Sequence, residues 1–472
     1  DPKRLLDLVS LLMRHEIEVY RVDSPLNLEK GRMLAGGEEG PINIPAGSYL
    51  VPLRQPKKRL AKALFEPIPQ IESRFLEEVE RLRKINRSLG DGVQKERLGF
   101  YDVTSWSLPL TYGLAAVEMK SGFSWDGLNR LEEEPSLNGR VEGKARYAYL
   151  FSGRSDTGSM LAGRLLQEGF QVGVSTRAFR NSGSEYQPGD YVVRVERNPE
   201  SLHRRIEELA GETGAVVRAS DTAGSETGIS LGSRRIVDLK APRIAVFADQ
   251  PTRAVAFGSV YSLLDQRYGL KFTAIRTGSF NRVDLSRYNV IILPDGSAAG
   301  YVNILGEDGR KKLLQWVRNG GVAIGIKAGA RYFTLGDDPP VDVKFVAEYS
   351  DEESEAVHPI EMHPGSIFQT SINTDYFLGY GYGDRIPVQV RGNRLMTPTK
   401  TGVNVVVFPP DSHLGGHKWE YSEEILEGKS YLADIPVGEG HILLFADDPT
   451  FRAYWRGLDR LLANGIVLGP SF

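Results

Sequence analysis

The sequence predicts a multi-domain α/β protein, in which duplicated α/β modules precede a doubly wound parallel sheet with a β-rich section. The length of 472 residues suits about two to four domains. From Pro242 onward, strand-like apolar runs alternate with helical patterns, which is typical of a parallel sheet covered by helices. Residues 45–56 and 187–199 share a short pattern, which predicts that the two preceding modules are repeats.

The composition excludes several function classes. Hydrophobic residues make up 41% and charged residues 25% of the chain, as in ordinary globular proteins. The net charge of −3 favours neither a nucleic acid nor a membrane surface as a partner. The longest apolar runs, such as residues 288–293 and 403–408, are strand-sized, so we expect no membrane span. The absence of cysteine excludes disulfides, cysteine nucleophiles and thiolate metal sites.

The first predicted module covers residues 1–140. An amphipathic helix at Leu5–Arg14 follows the opening Asp1-Pro2-Lys3 almost at once, with no methionine and no signal-like apolar segment before it. We therefore expect the chain to be a processed or excised portion of a longer protein. The other predicted elements are a strand at 17–22, an alternating strand at 49–53, helices at 55–64 and 71–85, and an aromatic segment at 101–106.

The second predicted module covers residues 141–240 and repeats the plan of the first. Residues 47–51 and 189–193 both read Gly-x-Tyr-[Leu/Val]-Val, and in each module a proline then opens a helix. Gly153–Gly158 lies between a predicted strand at 147–151 and a predicted helix at 160–168, but lacks the glycine spacing of nucleotide-binding loops. We therefore interpret Asp156 or Thr157 as the helix N-cap. Another strand is predicted at 170–174.

The third predicted unit covers residues 241–472, with its β-rich section at 341–440. The alternation of its elements predicts a doubly wound sheet of the flavodoxin-like kind. The predicted strands are at 243–247, 272–275, 288–293, 321–324 and 441–445, and the predicted helices are at 260–268, 309–318 and 451–462. We expect the three units to pack against one another, because no low-complexity tract separates them.

The segment Gly325-Ile326-Lys327-Ala328-Gly329 is predicted to form a sharp strand-to-helix elbow, because its glycines permit a strained turn. Enzymes place a nucleophile at such an elbow. Lys327 is therefore a candidate nucleophile or a candidate ligand for phosphate or carboxylate, with Asp295 beside it in a ligand pocket. The alternative is a lysine whose stem packs while its ammonium reaches solvent.

Histidines provide two weaker candidates for metal binding. His358-Pro359-Ile360-Glu361 has the H-x-x-E spacing of zinc sites, with His363 nearby and His413 or His417 as a third ligand. The prolines and the preceding acidic run 351–355 favour a surface loop without zinc. Two glycines between His413 and His417 argue against a helix that would bring both onto one face, so a flexible loop is the favoured interpretation.

A cluster of aromatic residues at 376–384 is the last candidate. Tyr380 and Tyr382 alternate with glycines, a pattern that suits an adaptable surface for glycans or peptides. A packed strand or loop that the glycines permit would explain the same residues.

Several segments together resemble the long C-terminal region of large bacterial zinc carboxypeptidases of the carboxypeptidase A family, over nearly the whole chain. The third unit resembles class I glutamine amidotransferases, whose elbow cysteine is replaced here by Lys327. The segments that carry the first resemblance are Pro45–Tyr49 with Pro52-Leu53 and Gln55-Pro56, Tyr101–Pro109, Leu264–Arg267, Leu293–Gly296, Phe451–Leu458 and Leu468–Phe472.

The resemblance implies a non-catalytic accessory or binding region of an exported, periplasmic or extracellular, zinc metallocarboxypeptidase-like protein. Such a region would support substrate positioning, assembly or surface attachment. Zinc and the peptidase domain, its partner in the same polypeptide, would lie upstream of residue 1, so no catalytic or metal-binding residue and no cofactor is assigned here. The alternative is a stand-alone glycan- or peptide-binding or structural protein with a degenerate amidotransferase-like domain. A homo-oligomer remains open.

Overall fold

The computed structural model describes residues 1–89, 93–120, 127–350 and 357–472. The acidic run 351–355 lies outside these described residues. Within them, no helix combines the length and the apolar character that crossing a membrane requires.

The N-terminal residues fold into helices and two small antiparallel sheets. The Asp1 carboxylate caps the first helix by accepting hydrogen bonds from the Lys3 and Arg4 amides, so the helix begins three residues earlier than predicted. The sheet orders are β4-β1-β6 and β3-β2-β5. The elements are α1 (Pro2–Arg14), β1 (Tyr20–Val22), β2 (Leu26–Met33), β3 (Gly40–Ile44), β4 (Tyr49–Leu50), α2 (Lys58–Phe65), α3 (Ser73–Ser88), α4 (Leu108–Thr111), β5 (Val117–Met119) and β6 (Leu128–Arg130).

The next region is built on a six-stranded sheet of order β15-β9-β12-β8-β13-β7, with a small β11-β10-β14 sheet beside it. Only the β13–β7 pair in the larger sheet is parallel. The elements are β7 (Arg140–Glu142), β8 (Ala148–Phe151), α5 (Asp156–Gln167), β9 (Gly173–Ser175), β10 (Phe179–Asn181), β11 (Ser184–Tyr186), β12 (Tyr191–Arg194), α6 (Leu202–Thr213), β13 (Val216–Ser220), β14 (Thr227–Gly228) and β15 (Ile236–Asp238).

The two similar segments share a turn but belong to different sheets. Gly47 and Gly189 both have positive φ, 85° and 94°, which explains why the pattern begins with glycine in each. The strands that follow differ in position: β4 is a half-buried edge strand, whereas β12 is buried between β9 and β8. The shared pattern therefore specifies a local turn and strand, and the pairing around each strand is set by the rest of its unit.

The third unit contains the predicted parallel sheet. Its parallel strands have the order β17-β16-β18-β19-β29, which is 2-1-3-4-5 in chain order and is the flavodoxin-like arrangement. The elements are β16 (Ile244–Ala248), α7 (Ala254–Tyr261) continuing as a π-helix (Ser262–Tyr268), β17 (Phe272–Arg276), β18 (Val290–Leu293), α8 (Ala298–Arg318), β19 (Val322–Ile326), α9 (Ala328–Tyr332) and, after the β-rich section, β29 (Gly440–Phe445) and α11 (Asp459–Val467).

The β-rich section is inserted between the fourth and fifth parallel strands and extends the same sheet. Strand β28 pairs antiparallel with β29, and β26, β23 and β24 follow outward. The section contains β20 (Phe345–Val346), β21 (Glu348–Ser350), β22 (Val357–Pro359), β23 (His363–Ile372), β24 (Arg385–Gly392), β25 (Leu395–Met396), β26 (Val403–Val407), β27 (His413–Gly415), α10 (Ser422–Leu426) and β28 (Ser430–Val437).

The last predicted helix begins at the wrong residue. Residues 451–462 do not form one helix; Arg452 and Ala453 have positive φ, 50° and 57°, and short 3₁₀ turns precede α11. Left-handed backbone at two non-glycine residues cannot continue an α-helix.

The second and third units share one hydrophobic core, as expected from the absence of a linker. Gly163 on α5 lies so close to the third unit that an added Cβ would be 2.8 Å from a Leu270 methyl group. The shared buried cluster includes Leu165, Leu264 and Ile324. The boundaries at residues 140 and 240 stay predictions.

Candidate ligand site at the carboxyl edge of the parallel sheet

Charged residues gather where the parallel strands end. Asp295 follows β18, Lys327 follows β19 directly, and Asp447 and Asp448 follow β29. Ligands of open α/β sheets bind outside the carboxyl ends of the strands. The structure therefore brings Lys327 and Asp295 to one edge and adds two carboxylates that sequence reasoning did not select. Ligand binding by Lys327 and Asp295 stays a prediction.

The elbow has the predicted form, but the glycines contribute differently. The strain lies on Lys327 itself, with φ of 51° and ψ of −101°. Gly325 and Gly329 are needed for close packing: an added Cβ would lie 2.6 Å from the Ala330 Cα and 2.0 Å from the Leu293 carbonyl oxygen. The glycines thus let α9 press against β18 and β19, and this packing holds Lys327 in its strained conformation.

The Lys327 ammonium is bound by the protein. Its Nζ donates to Asp447 Oδ1 and to the Arg391 carbonyl oxygen, each at 2.6 Å. Asp447 is further fixed, because its Oδ2 accepts from the Arg391 amide at 2.7 Å and its Oδ1 accepts from the Asp448 amide at 2.9 Å. The side chains of Lys327 and Asp447 are 22% and 8% exposed, so this ion pair is largely removed from water.

Asp295 is bound to the first amide of the elbow helix. Its Oδ1 accepts from the Ala328 amide at 3.3 Å and from the Gly296 amide at 2.9 Å, while Arg253 Nη1 lies 3.2 Å from its Oδ2. The residue is 5% exposed. In elbow enzymes the amide after the nucleophile donates to the oxyanion, so here Asp295 occupies that donor.

Asp448 is a buried acid at the same edge. Its Oδ1 accepts from the amide and the hydroxyl of Thr450, at 2.9 and 2.8 Å. Burial raises the pKa of Asp448 to about 6; the Thr450 hydrogen bonds oppose this shift, and the charges of Asp447 and Asp295 add to it. A carboxyl group whose pKa burial raises toward neutral makes this edge sensitive to pH.

Backbone strain is concentrated at this edge. Asp249, which directly follows β16, has φ of 66°, and Arg452 and Ala453 in the loop after β29 add two more positive values to that of Lys327. Each non-glycine residue with such a backbone conformation destabilises the fold by about 1–3 kcal/mol. The conformation persists only where the surrounding contacts hold the backbone in place. Such clusters of strain are typical of ligand clamps and active sites.

Tyr380 and Tyr382 are packed and lie with other elements. Tyr380 is 6% exposed, and its ring contacts Phe472. The Tyr382 hydroxyl donates to the Gly457 carbonyl and accepts from the Leu461 amide, both at 3.0 Å. These contacts therefore agree with the interpretation of residues 376–384 as a packed strand or loop. Among the described residues, the rings of Tyr380 and Tyr382 share no contact partner with Lys327 or Asp295.

A buried ion network was missed by the sequence analysis. Asp156 is fully buried and accepts hydrogen bonds from Arg4, Arg267 and Arg460 at 2.8–3.0 Å. The N-cap prediction was wrong in detail, because Ser155 occupies that position and Asp156 is the first helical residue. Burial raises the pKa of Asp156, but the arginines outweigh it and hold the pKa well below its usual range.

The H-x-x-E string is engaged in structural contacts. His358 lies opposite Tyr349 in the β21–β22 hairpin, and Glu361 is ion-paired with Arg83 and with Arg87. His363 is fully buried, and burial lowers its pKa to about 4. Across the described ranges, no three His, Cys, Asp or Glu side chains are grouped closely enough to hold a metal ion.

His413 and His417 do not share a helix face. His413 begins β27, and its Nε2 lies 3.0 Å from the Gly416 carbonyl oxygen. The His417 ring packs against Trp419 and Phe100, with centroids 4.8 and 5.2 Å apart. The segment is therefore a packed strand and turn instead of the flexible loop that was expected.

No protein-family model and no curated protein matches this chain. Among solved structures, a ThuA-like protein from Bacteroides uniformis is 12% identical with a TM-score of 0.33, covering 51% of this chain and 94% of its own. A glutamine amidotransferase from Thermotoga maritima is 10% identical with a TM-score of 0.30, covering 48% and 96%. A β-galactosidase from Bacillus circulans is 13% identical with a TM-score of 0.29, covering 65% and 46%.

Scores this low carry no inference about function, so the fold class follows from the chain's own strands. The third unit is flavodoxin-like in that its strand order is 2-1-3-4-5, and its elbow follows the fourth strand. The comparisons give no support to a carboxypeptidase relationship, which stays a prediction.

Proposed function

We propose that this chain is a non-catalytic accessory or binding region whose elbow holds charge instead of performing chemistry. The observation that carries the proposal is that the protein's own carboxylates occupy both positions an elbow enzyme uses. Asp447 binds the Lys327 ammonium, and Asp295 binds the Ala328 amide.

The first of these contacts disfavours nucleophilic catalysis. A lysine nucleophile needs an unprotonated amine with a free lone pair. Lys327 Nζ donates hydrogen bonds to a carboxylate and to a carbonyl oxygen, each at 2.6 Å, so acceptors of the protein itself already bind the group that would have to attack a substrate. Lys327 on the elbow contacts Asp447 after the adjacent strand β29, as a nucleophile would contact its base. Here, however, the contact is an ion pair.

The second contact disfavours acyl transfer. An oxyanion hole must leave its amide donors free for charge that develops in the transition state. The Ala328 amide already donates to the negative charge of Asp295, which would also repel an oxyanion. Both features together support a scaffold without the elbow chemistry.

The finer proposal follows from the sequence resemblance. The chain would serve a zinc metallocarboxypeptidase-like protein in the periplasm or outside the cell, next to an upstream peptidase domain that holds the zinc. It would position peptide substrate, mediate assembly or attach the enzyme to a surface.

The test is an activity assay of residues 1–472 with peptide and glutamine substrates, with and without zinc, beside the same chain together with the proposed upstream domain. We expect turnover only with the upstream domain present. Zinc-dependent peptide cleavage by residues 1–472 alone would contradict the accessory role.

Glutamine hydrolysis that Lys327→Ala abolishes would contradict the non-catalytic elbow. The matched control is Lys311→Ala, because Lys311 is 75% exposed on α8 and, within the described ranges, pairs only with Glu307 four residues before it. Loss of activity in both variants would point to a fold defect, which the unfolding transition would reveal.

A further inference from the structure

We infer that a cleft beside the elbow binds the carboxylate of a small N-acylated amino acid or a short peptide. This inference rests on the proposed binding role and names its ligand class. The cleft lies between the β24–β25 segment and the β28–β29 pair and encloses about 300 Å³ including its mouth. Its polar lining consists of Arg391, Arg394, Lys429, Gln389 and Tyr431, with Asp447 at the side nearest Lys327.

The charge of the cleft favours an anion. Arg391, Arg394 and Lys429 contribute three cations, and none of them forms an ion pair with another described residue. Asp447 does not compensate them, because its two oxygens already accept from the Lys327 ammonium and two backbone amides. Uncompensated cations that converge on one cleft attract a negatively charged ligand.

Two neighbouring groups support this description. The Arg391 guanidinium lies 4.0 Å from the Phe451 ring centroid, which holds it in place by a cation–π contact. Burial and the nearby Arg394 charge lower the pKa of Arg331. The positive potential around Arg394 therefore extends beyond the cleft lining toward the elbow helix.

One residue that lines the cleft carries a buried hydrogen-bond donor without an acceptor. The Tyr431 hydroxyl has no hydrogen-bond partner among the described residues, and Tyr431 is 1% exposed, whereas the buried Gln389 side chain lies next to the Tyr454 hydroxyl. A buried donor left unpaired is costly, so native proteins rarely keep one without a ligand or water to accept from it. Burial and the charges of Asp447 and Asp448 raise the pKa of Tyr431 well above its usual range, so its hydroxyl stays protonated and can donate.

The shape of the cleft narrows the ligand class. The centres of water-sized groups can occupy only about 20 Å³ of the cleft, which is room for one small group, so we expect the anionic group to enter while the rest of the ligand stays in the mouth. Phe408, Leu395 and Met396 form an apolar wall there. Arginine can bind a carboxylate or a phosphate, but the apolar wall favours an organic carboxylate, because inorganic phosphate has no apolar part to pack there. The three cations disfavour a free amino acid, whose ammonium would lie beside its carboxylate.

The experiment is isothermal titration of residues 1–472 with acetyl-Ala-Ala and N-acetylalanine. The comparison ligands are acetyl-Ala-Ala amide, which lacks the carboxylate, free alanine and inorganic phosphate. We expect the two acylated carboxylates to bind at least about tenfold more tightly than the comparison ligands, since a charge-assisted hydrogen bond is worth that factor or more. Tighter binding of acetyl-Ala-Ala would indicate the end of a peptide as the natural ligand. Tighter binding of N-acetylalanine would indicate a single acylated amino acid.

Variants locate the binding. Arg394→Gln and Lys429→Gln should each weaken binding about tenfold, and Tyr431→Phe should weaken it about threefold or more without lowering stability, because it removes only an unpaired hydroxyl. Arg385→Gln is the matched control, because Arg385 is exposed on the same strand β24 but does not line the cleft. Binding should be unchanged in this variant.

Equal binding of the amide-capped peptide or of phosphate would overturn the carboxylate assignment. Binding that Arg394→Gln and Lys429→Gln leave unchanged, or no binding by folded protein at millimolar ligand, would overturn the cleft itself. These outcomes are independent of the turnover assays. A chain that neither turns over substrate nor binds these ligands would contradict this inference alone. Turnover that depends on Lys327 would contradict the proposed function.

Discussion

The buried network around Asp156 permits a quantitative prediction for Asp156→Asn. Asp156 is 0% exposed and accepts four hydrogen bonds from three arginines, two of them from Arg4 at 3.0 and 2.8 Å. The asparagine keeps the volume but loses the charge, and its NH₂ group would face a guanidinium. Removing one partner of a buried ion pair costs about 3–5 kcal/mol. Asp1, Asp7 and Asp459 still pair with the three arginines, so we expect a loss near the lower end of that range.

The measurement is urea unfolding followed by intrinsic fluorescence, with the slope m checked for each variant. The matched control is Asp238→Asn, because Asp238 also pairs with two arginines, Arg194 and Arg197, but its side chain is 59% exposed. We expect the control to lose less than about 1 kcal/mol, as exposed ion pairs do. Equal losses in Asp156→Asn and Asp238→Asn would refute the reasoning, since burial would then make no difference.

The pH dependence gives a second check on the same network. The folded-state pKa of Asp156 lies well below its value in the unfolded chain, which is about 3.9. The stability that Asp156 contributes is therefore fully present above about pH 4 and is lost as the pH falls through the folded-state pKa. The unfolding free energies of the protein and Asp156→Asn should differ by a constant amount from pH 7 to about pH 5. They should converge below pH 4, and a difference that shrinks near neutral pH would contradict the assignment.

Three further predictions concern the carboxyl edge. Lys327→Met leaves the Asp447 carboxylate buried without its ammonium, so urea unfolding should show a loss of about 3 kcal/mol; an unchanged midpoint would mean that the pair contributes nothing. The pKa of Asp448 is raised to about 6, so the stability linked to its protonation is full below about pH 4 and is lost as the pH rises through 6. Relative to Asp448→Asn, the unfolding free energy of the protein should fall by about 2–3 kcal/mol between pH 4 and pH 7, and parallel curves would contradict this. Gly329→Ala would place a Cβ 2.0 Å from a backbone oxygen and should lower the melting temperature strongly, whereas Gly258→Ala in α7, where no atom lies within 4 Å, should be neutral or stabilising.

Much of the third unit was predictable from local pattern. The apolar runs that became β16, β18 and β19 are continuous because these strands are buried on both faces. The elbow was predictable because G-x-K-x-G follows such a run, and the structure confirms a strained residue at Lys327. Pairing of β28 with β29, which carries the β-rich section onto the same sheet, was not predictable, because strand pairing depends on contacts distant in sequence.

The candidate site shows the same division. Lys327 and Asp295 each follow a strand, so their common edge could be predicted. Asp447 was missed because an acid after a strand is common, and only the fold shows that it binds Lys327, 120 residues away. The packed state of Tyr380 was equally undetermined, because glycine-spaced tyrosines suit a surface and a core alike.

The sequence by itself determined the α/β class, the elbow and the absence of cysteine chemistry, because these depend on composition and on neighbours within a few residues. Only the tertiary structure decided that carboxylates contact the elbow, that Asp156 joins three arginines and that three cations line one cleft with Tyr431. Those features join groups up to hundreds of residues apart, and their energies depend on burial. Burial is a property of the whole fold, which no local pattern records.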